Sequence, residues 1–167
     1  MEAWNSSSRQ LMIFTGLPAF LAKIAAATEP YRIAHPAGET LKTDKGNGEV
    51  SLANLITLSV ATTVERVCPA AVVVPTRGGA TARSLSRYKL PVWIAAVSSQ
   101  ETTCQGLQFS YGVYPVHEPE HPEDWKGFIQ QWLQTHGVEG DLVILTEGPS
   151  SKHPEANNRM EIIDLRR

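Results

Sequence analysis

The stretch AAVVVPTRGGATARSLSRY, residues 70–88, decides the fold. Ala70 to Val74 is a short apolar run and reads as a buried strand. Ala82 to Tyr88 reads as a helix. Between them lies Thr76-Arg77-Gly78-Gly79-Ala80-Thr81. Strand, glycine turn and helix start together make a recipe for an anion site. The first N–H groups of a helix lack internal partners, and the helix dipole places partial positive charge there. Two glycines let the backbone approach a bound group. Thr76 and Thr81 add hydroxyls, and Arg77 and Arg83 add charge. The expected ligand is a phosphate, bound rather than transformed. A glycine pair between strand and helix serves equally as a plain turn. No GK[ST] follows, so this is not a Walker loop, and the spacing is not G-x-G-x-x-G.

Working outward, other apolar runs repeat the strand–helix theme. Val92 to Val97 and Gly112 to Val116 read as a second and third strand, with a helix at Ser99 to Phe109 capped by Ser98 or Ser99. His121 to His136 is amphipathic, with Trp125, Phe128, Ile129, Trp132 and Leu133 on one side and Gly137 as its C-cap. Asp141 to Thr146 is a fourth strand. Met160 to Leu165 is a last strand with an alternating face. No helix separates these two, so the last strand pairs antiparallel or lies apart. Helices between short apolar strands imply a mostly parallel sheet covered on both faces.

Upstream, Val50 to Val67 reads as a helix with Leu52, Leu55, Ile56, Val60, Val64 and Val67 on one face and few charges. Such a face often meets another subunit. Leu17 to Thr28 has helical character, residues 35–48 read as a polar loop, and residues 1–15 as a head preceding a domain at 16–167.

In an open α/β sheet, ligands bind beyond the carboxyl ends of the strands. The Thr76–Thr81 loop belongs there. So does the polar stretch from Glu147 to Asn158, whose Ser150, Ser151, Lys152, His153, Asn157 and Asn158 suit a phosphorylated sugar.

With 167 residues the chain can bury a full core. A net charge of −2 lacks the basic excess of a nucleic-acid binder. No apolar run reaches transmembrane length, and the N-terminus lacks the pattern of a secretion signal. Cys68 and Cys104 read as separate core thiols rather than metal ligands or a disulfide. A cytoplasmic location is therefore expected. His117, His121 and His136 read as solvent-exposed rather than metal-binding, because Pro119 and Pro122 interrupt any helix joining the first two. Cys104 lacks a histidine partner for nucleophilic work. Trp125 and Trp132 read as core. No cofactor is expected.

In order along the chain, PAAVVVPTRGGATARSLSRYKLPVWIAAV, CQGLQFSYGVYPV, GDLVILTEG and NNRMEII resemble the C-terminal domain of pyruvate kinase. LAKIAAATE resembles the helix that leads into that domain. The resemblance runs from about Leu17 to Leu165. It implies a three-layer α/β/α domain with a mixed five-stranded sheet whose last strand is antiparallel. It also implies a non-catalytic domain that binds a phosphorylated effector and contributes a subunit interface, as a homodimer or higher oligomer. The family's effector loop has the pattern T-x-S-G-x-[ST]-A. Thr76, Gly79, Thr81 and Ala82 match it, and Gly78 stands where the family has serine. Relatives that bind bisphosphate sugars often carry an arginine near the aromatic-bearing helix. Between Glu118 and Val138 this chain has only Lys126, which leans toward a monophosphate. A catalytic (β/α)₈ barrel needs about 250 residues. Pyruvate kinase chemistry is therefore not expected of this chain, although such a barrel is a conceivable partner. Two other readings stay open: a small enzyme acting on a phosphorylated metabolite, with Glu147 or His153 as its acid or base, and a structural dimerisation module.

Overall fold

The computed structural model describes Phe20, Lys23, Ile24 and Ala27, then residues 51–148 and 158–167. The chain divides into two compact units, Met1–His35 and Pro36–Arg167. In the first, the four described residues are all helical and exposed, within the expected helix. The expected head and the 35–48 loop lie outside the described residues. The second unit carries the sheet.

Its elements in chain order are α1 (Leu52–Val67), β1 (Ala71–Pro75), α2 (Ala80–Ser86), β2 (Trp93–Ser98), α3 (Glu101–Leu107), β3 (Val113–His117), α4 (Trp125–His136), β4 (Leu142–Glu147) and β5 (Arg159–Asp164). The strands form one sheet in the order β3-β2-β1-β4-β5. β1 pairs in parallel with both β2 and β4, β2 pairs in parallel with β3, and β5 runs antiparallel to β4. This is the mixed five-stranded sheet with an antiparallel last strand that the family resemblance implied.

Each face of the sheet carries its own core. On one, Val72, Val74, Ile94, Ala96 and Ile144 meet Val60, Ala61 and Val64 of α1, Ala82 and Leu85 of α2, and Leu107 of α3. On the other, Ala71, Val73, Ala95, Val97, Val143 and Leu145 meet Ile129, Trp132 and Leu133 of α4. Residues alternate between faces along β1, as a pleated strand requires. Because both faces are covered, its sequence is continuously apolar.

The helix ends depart from the sequence reading for local reasons. α1 starts after Ser51, whose hydroxyl accepts from Asn54 N–H at 3.2 Å. Its buried stripe is Thr57, Val60, Ala61 and Val64, with Ile56 and Val67 packed against the same core, so of the expected apolar face Leu52 and Leu55 depart. At about 100° per residue, Leu55 and Leu52 point about 160° and 140° away from Thr57. Thr57 and Ala61 share the contact with Val60 and Val64, and Leu52 and Leu55 stay exposed. α2 starts at Ala80, two residues earlier than expected, and ends before Lys89, which has φ 49°. α3 follows Gln100 with no side-chain cap, because Ser98 is the buried last residue of β2. The Ser98 hydroxyl accepts from Gln100 N–H at 3.2 Å instead. α4 begins at Trp125 and not at His121. Asp124 caps it, accepting from Gly127 N–H at 3.0 Å, and Gly137 closes it in the left-handed region as expected. β5 lacks a clean alternation: Met160 and Ile163 are half-buried, and Ile162 is exposed.

Of the cysteines, Cys104 is buried as expected and Cys68 is exposed, the left-handed residue that ends α1. Burial, with the Glu101 carboxylate beside it, pushes the Cys104 thiol up. It stays a protonated core group. At the end of β5, hydrogen bonds from Arg166 hold the Asp164 carboxyl down at about 2. Its folded-state value lies below the ordinary carboxylate value. That contribution to stability is therefore present at neutral pH and fades as pH falls toward 2.

Candidate functional site

β1 delivers the chain to its carboxyl end at Pro75, and Thr76 N–H donates to Val97 O at 2.8 Å, extending the sheet by one residue. The loop then folds on itself. The Thr76 hydroxyl accepts from Gly79 N–H at 2.9 Å, so that N–H is used within the loop. The hydroxyl proton of Thr76 remains for a further acceptor. Gly79 has φ 76° and turns the chain into α2. The first bond of α2 runs from Arg83 N–H to Gly79 O at 3.0 Å, so the N–H groups of Ala80, Thr81 and Ala82 precede it.

The loop is braced from outside. Arg77 O accepts from the Thr103 hydroxyl at 2.7 Å and from the Ser98 hydroxyl at 3.4 Å, tying it to α3 and β2. The Arg83 guanidinium donates to Gly78 O. Arg83, expected to add charge for a ligand, thus has one arm on the loop itself. Nothing in the sequence marked Thr103 or Ser98 as supports, since the contacts join residues 21 and 26 positions apart. The side chain of Arg77 is exposed.

The carboxyl end of β4 adjoins this loop. A Cβ built on Gly148 would lie 3.8 Å from Thr81 Oγ1 and 3.3 Å from Asn158 Oδ1. Gly148 and Asn158, the described ends of the second polar stretch, therefore lie close to each other, and Gly148 lies beside Thr81 at the carboxyl ends of the adjacent parallel strands β1 and β4. Ser150, Ser151, Lys152, His153 and Asn157 lie outside the described residues. Beside Gly148, Glu147 Oε2 accepts from Arg159 Nη2 at 3.4 Å, and its Oε1 lies 3.6 Å from His121 Nε2. The His121 ring meets Trp125 edge-on at 5.0 Å. Trp125 is half-buried, unlike Trp132, which is in the core. His117, His121 and His136 are all exposed, as expected. Glu147 and Arg159 face each other in the β4–β5 register, a pairing hidden in the sequence by the residues between them.

Chemically, the loop offers hydroxyl and backbone donors with an arginine alongside, which suits an anion. The described acid, Glu147, already has partners, and the loop shows no nucleophile–base pair. Among the described residues, no helix is long and apolar enough to cross a membrane.

Comparison with known proteins agrees with this architecture. The family described as "Pyruvate kinase, alpha/beta domain" matches residues 54–163. A pyruvate kinase of Thermococcus litoralis is 34% identical over 148 residues, 87% of this chain and 31% of that protein. A pyruvate kinase of Staphylococcus aureus is 32% identical over 118 residues, 68% of this chain and 20% of that protein. The chain thus spans less than a third of these relatives. A solved structure of Cryptosporidium parvum pyruvate kinase in complex with ADP has the same fold, with a TM-score of 0.66 and 19% identity over 77% of this chain and 26% of that one.

Proposed function

The chain belongs to the pyruvate kinase α/β domain family, and from that premise we propose that it is a non-catalytic ligand-binding module. It takes a phosphorylated metabolite on the Thr76–Thr81 loop and associates with other copies of itself or with a catalytic barrel. The observation that carries this reading is the meeting of that loop with Gly148 beyond the carboxyl ends of β1 and β4. Open α/β sheets bind ligands there. Thr76 and Thr81 supply hydroxyls, Ala80 and Thr81 supply N–H groups, and Arg77 supplies charge. Association is supported by Leu52 and Leu55, left exposed on α1, and by β5, which among the described residues pairs only with β4.

Calorimetric titration with sugar phosphates and nucleoside monophosphates tests the ligand. Charge-assisted hydrogen bonds contribute about 1.5–3 kcal/mol each. Losing one such bond and a hydroxyl contact in Thr81→Ala with Arg77→Ala should weaken binding about a hundredfold. A double variant that binds as well as the parent, or a parent that binds no phosphate, sinks this reading. The chain would then be better described as a structural association module.

A further inference from the structure

The surroundings of Glu147 bear on what kind of phosphorylated molecule the end of the sheet accepts. Side chains alternate along β4. Ile144 belongs to the core under α1 and α2, and Val143 and Leu145 to the core under α4. By the same alternation Glu147 faces the α4 side and Gly148 the α2 side. The contacts agree. Gly148 adjoins Thr81, whereas Glu147 engages Arg159 and His121, and His121 meets Trp125 at the start of α4. The end of the sheet thus has two unlike halves. One is the donor-rich loop. The other holds a carboxylate, a guanidinium and an imidazole already drawn to it, and an indole.

We infer that Glu147 is a specificity-determining residue that closes the α4 half to a second anionic group. The accepted molecule has one phosphate, on the Thr76–Thr81 loop, and an uncharged far end bearing hydroxyls or a ring. This rests on the phosphate reading above. Among the described residues, Arg159 and His121 are the groups beside Glu147 that could receive a second phosphate, and both lie against its carboxylate. A second phosphate must displace the carboxylate from Arg159 while approaching that same negative charge, and like charges at close range repel strongly. A hydroxyl meets no such barrier, because a carboxylate has spare lone pairs to accept it.

The test is titration of the parent chain and Glu147→Gln with glucose 6-phosphate, fructose 1,6-bisphosphate and inorganic phosphate, at one pH and ionic strength. The parent should bind the monophosphate sugar about tenfold more tightly than the bisphosphate. Glu147→Gln should raise bisphosphate affinity about tenfold and change monophosphate affinity by less than about threefold. Adding Arg159→Ala to Glu147→Gln should remove the gain. Exposed ion pairs add little to stability, so a thermal melt of Glu147→Gln should match the parent. Equal affinity of the parent for both sugars overturns the inference, as does a gain for both alike in Glu147→Gln. Binding of inorganic phosphate alongside either result leaves the phosphate reading standing. If no phosphate compound binds at all, that reading fails and takes this inference with it.

Discussion

Gly79→Ala is expected to destabilise the domain by about 2–3 kcal/mol, with its neighbour Gly78→Ser nearly silent. Two separate causes act at Gly79. Its φ of 76° lies in the left-handed region, where an L-residue costs about 1–2 kcal/mol. Its Cβ would also sit 2.9 Å from Arg83 Nη1 and 3.0 and 3.2 Å from two methyl carbons of Leu107. Arg83 can swing away, but only by giving up its bond to Gly78 O. Leu107 is fully buried and has little room to shift. In a chain of this length each kcal/mol moves the melting temperature by about 2–4 °C, so the expected drop is about 5–10 °C. At Gly78 both causes vanish. Its φ is not in the left-handed region, and an added Cβ meets nothing within 4 Å. Gly78→Ser should shift stability by less than about 0.5 kcal/mol. It restores the hydroxyl of the family pattern and should tighten phosphate binding. Melting curves of the two variants check the contrast, and equal losses in both would mean that the turn does not depend on Gly79.

The same two glycines show what was legible in the sequence. The pair announced a turn between strand and helix, because glycine is the residue that punctuates such junctions. Which glycine is obligatory depends on where Leu107 packs, a contact far along the chain from either. β1, β2 and β4 were readable because each is a short apolar run buried on both faces, a pattern that survives without knowledge of neighbours. The buried face of α1 was readable in part: Val60 and Val64 are core, with Ile56 and Val67 packed against them. Leu52 and Leu55 look like core residues, but the sheet takes the side with Thr57 and Ala61, whose small size allows close approach. Loop Thr76–Thr81 was legible as a junction between strand and helix, whereas its braces from Thr103 and Ser98 were not. Likewise Glu147, His121 and Arg159 converge only through the β4–β5 register and the placement of the segment before α4. Local chemistry is written in local sequence, and convergence is written in topology.

Ile144→Ala is expected to be more damaging still, at about 2–5 kcal/mol. Ile144 is 0% exposed, on the central part of β4 between its pairing partners Val72 and Ile162. Removing its side chain opens a cavity in the core that also holds Val60 and Leu85, so α1 and α2 both lose a contact surface. The expected fall in melting temperature is about 5–20 °C. Ile162 provides the comparison. It sits opposite Ile144 in register, on the outermost strand, and is 48% exposed. In an isolated copy Ile162→Ala should cost less than about 1 kcal/mol, because a half-exposed side chain has less burial to lose. If copies associate along β5, Ile162 is buried in the assembly and its loss should be larger and grow with protein concentration. Thermal melts at low and high micromolar concentration, paired with sedimentation, separate the two cases. An Ile162→Ala penalty that stays small at every concentration, together with a monomeric parent, rules out association through this edge. Leu52 and Leu55 of α1 would then be the remaining one of the two proposed apolar surfaces through which copies could meet.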